Sequence, residues 1–195
     1  MVNVNAPFGL RAVGELGSNI QNGGTTEYNI LPGLATQIYK GDLVQILAAN
    51  GTIQQSAAGN ADCLGVFNGC LYDDPTTQKP TWSNYYPGGI TPTGGGLIKA
   101  FVYDDPNKLF EIQGSAILAK NAAVGKNTDI LLAQGNTING QSATQMNTAL
   151  PPAAASAQLR IVGFSTDPEN SDPLTANANW IVRINEHVYS RATGV

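Results

Sequence analysis

Short runs of alternating apolar and polar residues, each closed by Gly, Asn or Pro, recur along this 195-residue chain, and helical periodicity is scarce. A period of two puts successive side chains on opposite faces of a strand, so the pattern predicts strands joined by tight turns. The clearest unit is YKGDLVQILAANGTIQQ. In it Asp42 to Leu47 alternates, Asn50-Gly51 offers the left-handed positions of a primed hairpin turn, and Thr52 to Gln55 returns. CLGVFNGCLY resumes as an apolar strand whose Gly65 and Gly69 mark a bulge or the close approach of a neighbouring backbone. From Asp73 to Gly96 runs a loop rich in Pro, Gly and Thr, long enough to be either functional or mobile. LIKAFVY-DDPNK-LFEIQG then reads as a second hairpin, and QLRIVGFS with NWIVRINEHVYS as a closing antiparallel pair joined by an Asp-Pro loop.

The stretch between these units is less patterned. AILAKNAAVGKNTDILLAQG carries one helical turn or a loop at the lip of a barrel, with a turn at Val124-Gly125-Lys126-Asn127. Ser142 stands three residues before Gln145, the capping-box spacing of a short helix, and PPAAASAQ is a spacer. No repeat of solenoid or propeller length is visible. The expectation is an all-β fold: a single β-barrel or β-sandwich of antiparallel strands over residues 16–195, with long Gly/Pro/Asn-rich loops and at most one or two short helices. An extended N-terminal arm occupies residues 1–15.

Composition narrows the function. Charged residues are 12% of the chain, against about 25% in a usual globular domain, so the surface is polar but weakly charged. Ten basic residues against fourteen acidic ones, with no basic run, leave no footprint for phosphates and argue against nucleic-acid binding. The N-terminus lacks the basic and apolar regions of a signal peptide, and no apolar run approaches about 18 residues, so a soluble protein with no membrane contact is expected. Cys63 and Cys70 share one predicted strand; at about 3.3 Å per residue their Cα atoms are roughly 23 Å apart, too far for a bridge, and both read as free, packed thiols.

YDDP occurs twice, at Tyr72-Asp73-Asp74-Pro75 and Tyr103-Asp104-Asp105-Pro106. Paired carboxylates suit a metal or an acid/base couple, but a calcium loop needs further oxygen ligands in register, and neither stretch has them. Asp at the first turn position bonds forward to backbone amides and Pro at the second fixes φ, so both copies read as turns. Asp167-Pro168 and Asp172-Pro173 repeat the device. His187, the single histidine, points away from Glu186 on a strand, and no nucleophile elbow, Walker loop or dinucleotide loop is present. Neither a catalytic residue nor a metal or cofactor is assigned.

Trp82, Tyr85 and Tyr86 have three readings: a sugar-binding shelf, anchors of a protein interface, or a cover over an open barrel end. Phe8, Leu10 and Arg11 in the N-terminal segment either lie on a partner by strand addition or belong to the first strand of the chain's own body.

NAPFGLRAVG, IYKGDLVQ with its NG turn, LGVFNGCLY, VYDDP with FEIQ, VGKNTDI and the closing WIVRINEHVY together resemble the capsid decoration, or cement, proteins of tailed bacteriophages. The resemblance spans most of the chain. It implies a β-barrel or sandwich on the outer face of an icosahedral head, made in the host cytoplasm, bridging major capsid protein subunits and assembling as a trimer or dimer. The rival readings are a tail or fibre-base protein, a virion-borne carbohydrate-binding module that uses the aromatic loop, and a small β-barrel hydrolase.

Overall fold

The computed structural model describes residues 3–17, 24–149, 155–166 and 168–191. Its strands are β1 (Arg11–Glu15), β2 (Thr26–Ile30), β3 (Ile38–Tyr39), β4 (Leu43–Ile46), β5 (Ile53–Gln55), β6 (Cys63–Asp73), β7 (Pro80–Ser83) and β8 (Tyr85–Tyr86), followed by β9 (Ile98–Tyr103), β10 (Lys108–Gln113), β11 (Asn127–Thr128), β12 (Ile130–Leu131), β13 (Gln145–Met146), β14 (Leu159–Phe164) and β15 (Asn179–Ile184). One turn of α-helix, α1 (Lys120–Ala123), lies in the stretch where a helical turn was expected, and Thr93–Gly95 form a short 3-10 turn.

Five strands close into a barrel in the order β4-β5-β2-β9-β6, with β6 bonded back to β4. Every pairing around it is antiparallel except the short parallel contact of β2 with β5 at Ile30 and Ile53. The eleven-residue β6 is long enough to pair with β4 through Cys63–Val66 and with β7 through Cys70–Asp73. Beside the barrel stands a five-stranded sheet in the order β1-β10-β15-β14-β11, and β12 pairs with β13 as a separate ribbon. The all-β expectation is met.

Two cores result, and β6 is the partition between them. Leu64, Phe67 and Cys70 enter the barrel with Ile30, Val44, Ile53, Tyr86 and Ile98. Cys63 and Val66 face the other way, against Phe110, Ile112, Leu159, Ile161, Trp180 and Val182 of the sheet. Bulges in the pairing with β4 at Leu64 and with β9 at Asn68 allow one strand to supply both sides. Gly65 runs tight against the Tyr103 carbonyl, the close approach its sequence context suggested. Both cysteines are free and fully buried, as expected.

Several expectations are corrected. Asp105 does make its turn, its carboxylate accepting the Asn107 amide at 2.8 Å and its carbonyl the Lys108 amide at 3.0 Å. However, β9 and β10 do not pair with each other: β9 belongs to the barrel and β10 to the sheet, so this turn passes the chain between them. The YDDP hairpin is the first one, between β6 and β7, where Asp74 accepts the amides of Thr76 and Thr77. At Asn50-Gly51 only Gly51 has positive φ, and the Gly51 amide reaches the Leu47 carbonyl, so the connection is a longer loop rather than a primed two-residue turn. The Asn50 carboxamide is occupied instead with the Thr52 amide and hydroxyl. No helix forms at Ser142; it is buried and donates to Asp42. The long loop is broken up by β7 and β8, and the spacer at 151–154 and Asp167 lie outside the described residues. No helix of the described residues is long and apolar enough to cross a membrane.

Candidate interaction site

The N-terminal segment passes over the turn between β3 and β4 at two glycines. Leu10 donates its amide to the Gly41 carbonyl and Gly41 its own to the Phe67 carbonyl, each at 2.8 Å. This stacks three backbones and pulls Leu10 into the sheet-side core, where it is buried. One residue on, β1 begins as the edge strand of the sheet, paired to β10. Further back, the carboxamide of Asn3 donates to the carbonyls of Asp172 and Ala176, and Gln113 donates to the Val4 carbonyl. Residues 3–15 are thus tied to the rest of the body along most of their length.

Between this segment and the barrel lies a groove of about 400 Å³, lined by Phe8, Arg11, Ala12, Lys40, Asn68, Tyr103 and Gln141 among others. Arg11 is fixed in its wall. Its guanidinium lies 4.8 Å from the centre of the Phe8 ring and is ion-paired with Glu111. Glu111 is buried beneath it and also accepts from the Ser165 hydroxyl and from Asn179. Gln141 closes one end, donating to the carbonyls of Phe8 and Lys40.

Below Lys40 a buried polar knot holds the turn in place. The Asp42 carboxylate accepts from the Tyr39 amide and from the Gln55 carboxamide, both at 2.8 Å, and from the hydroxyls of Ser142 and Thr144. Burial pushes the Asp42 carboxyl above its usual range, opposed by these four donors. Since Ser142 and Thr144 come from a loop a hundred residues away in sequence, the knot ties that loop to the barrel mouth.

Trp82, Tyr85 and Tyr86 do not act together. Tyr86 is wholly inside the barrel, its hydroxyl donating to the Leu34 carbonyl at 2.9 Å. Tyr85 stacks on Tyr39, with ring centres 5.4 Å apart and planes 6° from parallel. Trp82 remains half exposed, lying over Phe101 on the outer barrel wall with its indole NH 3.4 Å from the Asn84 side chain. Of the six residues singled out in the sequence, Leu10 and Tyr86 are core, while Phe8 and Arg11 share the groove.

The loop that brings Gly140 against Asn84 and Tyr85 carries a residue that the sequence reading missed. The loop 136–140 is closed by hydrogen bonds from the Asn136 amide to the Gln141 carbonyl and from the Gly140 amide to the Asn136 carbonyl. At its apex Ile138 is 95% exposed. The Asn139-Gly140 dipeptide was the available turn signal.

Three of the four YDDP carboxylates, those of Asp74, Asp104 and Asp105, accept hydrogen bonds from the chain itself. Asp74 accepts two backbone amides that hold it below its usual range, and Asp104 accepts from the hydroxyls of Thr26 and Tyr28. Among the described residues no group of three or more His, Cys, Asp or Glu side chains is placed to hold a metal ion. His187 is buried, its Nδ1 accepting the Tyr189 amide at 3.1 Å. No protein-family model matches the chain, and no curated protein or solved structure does either.

Proposed function

We propose that this chain is a non-enzymatic virion protein that decorates a bacteriophage head and stabilises it by binding across major capsid protein subunits. The observation that carries the reading is the presentation of Ile138. A turn apex ordinarily takes Gly, Asn, Asp or Pro; here a closed, hydrogen-bonded loop holds a bare isoleucine in water. Leu174, at 78% exposure, is presented in a similar way beyond the Asp172 turn, whose carboxylate accepts the Leu174 amide. Rigid apolar tips of this kind lose little entropy on docking and gain by being covered. The motif resemblance supplies the identity of the partner. A ligand that binds only the assembled lattice lowers its free energy by mass action and raises the barrier to rupture.

The carbohydrate-binding reading loses ground, because with Tyr86 buried and Tyr85 stacked on Tyr39 only Trp82 is left as a shelf. The test is reconstitution. Heads lacking this protein should rupture at lower temperature, regain their stability when it is added, and regain less of it with Ile138→Asp. Unchanged rupture on adding the wild-type protein defeats the reading.

A further inference from the structure

The fold gathers cations that the sequence scatters. Arg160 on β14 and Arg183 on β15 are direct cross-strand partners. Their neighbours Leu159, Ile161, Val182 and Ile184 fill the core, so by strand alternation both arginines stand on the opposite face of the sheet. Like charges directly opposite one another weaken a sheet. No carboxylate among the described residues is ion-paired with either, although Arg11, Lys99, Lys108 and Arg191 all have such partners. Arg160 donates its Nε to the Asn127 side chain at 2.9 Å, and the buried Nε of Arg183 has no acceptor among the described residues. The two line a groove of about 350 Å³ whose rim is apolar, formed by Leu16, Val124 and Val162.

We propose that this groove is a docking site for a protein partner, taking a segment that presents a carboxylate flanked by apolar side chains. The inference stands apart from the capsid reading, since it specifies the chemistry of the bound segment and not its source. Charge complementarity carries it: in a chain of net charge −4, two cross-strand guanidiniums with no carboxylate partner among the described residues offer the planar, forked donors that carboxylates pair with best. The apolar rim selects the neighbours of that carboxylate. A nucleic-acid backbone would require cations repeated along a track, whereas this pair is bounded by Leu16, Val124 and Val162.

The experiment is a titration of the isotopically labelled protein with two capped peptides, Ser-Val-Glu-Val-Glu-Ser and its glutamine counterpart, followed by amide chemical shifts. The glutamate peptide should shift residues 124–126, 160–162 and 182–184, bind at least ten-fold more tightly than the glutamine peptide, and weaken with salt. Arg183→Gln should abolish the difference. Should that variant not fold, Val124→Asp, at an exposed loop position, should block binding by neutralising the pair from within. Equal binding of the two peptides, shifts confined to other residues, or unaltered binding by the variants overturns the proposal. So does tighter binding of a thymidine oligonucleotide at the same residues, or a self-association that Arg183→Gln dissolves.

Discussion

Gly9 and Gly41 meet backbone to backbone: a Cβ on Gly9 would lie 2.5 Å from the Gly41 carbonyl oxygen, and one on Gly41 would lie 2.8 Å from that of Phe8. Both have positive φ, at 73° and 94°, so a side chain meets strain and collision together. Gly9→Ala or Gly41→Ala should lower stability by about 2–4 kcal/mol. Gly59→Ala, at φ 77° with open space around it, should lose only about 1 kcal/mol. Urea denaturation of the three variants checks the contrast, and equal losses would mean that the crossing is not tight.

Asp42→Asn should destabilise the fold even though it removes a buried charge. One oxygen accepts from Tyr39 and Gln55 and the other from Ser142 and Thr144, so an amide either sets its nitrogen against the Tyr39 amide or takes from the two hydroxyls the acceptor they donate to. The expected loss is about 2–4 kcal/mol, with protease sensitivity appearing first in the loop around 136–142.

His187 sets a pH dependence. Burial holds its imidazole below the ordinary value, against the opposing pull of Asp104. The unfolded chain therefore takes up a proton near pH 6.5 more readily than the fold does, so the stability contributed by neutral His187 is complete above that pH and is lost as pH falls through it. Denaturation midpoints from pH 7.5 to 5 should fall more steeply in the wild type than in His187→Gln. Parallel slopes would remove the assignment.

The thiols should be silent in the native state. Burial pushes Cys63 up to about 11 and Cys70 up to about 12, leaving almost no thiolate at pH 8. A disulfide-exchange reagent should modify neither cysteine of the folded protein and both in denaturant. Rapid native labelling would contradict the packing.

Tyr86 and Trp82 should separate cleanly. Tyr86→Phe removes one buried hydrogen bond, worth about 1 kcal/mol, and Tyr86→Ala should cost about 3–5 kcal/mol. Trp82→Ala, at a half-exposed position, should cost only about 1 kcal/mol, as read by thermal melting.

What the sequence made legible follows the range of the interactions involved. β14 and β15 were readable because alternation over six residues is a local signal, and they follow one another along the chain with no other strand between them. The Asp105 turn was equally local, but a turn reports that the chain reverses and not which sheet it enters; β9 and β10 therefore looked like a hairpin although they part company. Tyr86 looked like a loop aromatic because the pairing that buries it, with Ile38 on β3, joins segments 48 residues apart. The same limit hid the Asp42 knot and the opposed arginines, whose members are scattered in sequence and meet only through strand register.

Because β6 is the wall of both cores, neither can open without exposing the other's side chains to water. Heating should accordingly give one cooperative calorimetric transition in place of two. On any surface that carries it, each copy would hold or fail as a unit, with no half-melted state to weaken its grip by degrees.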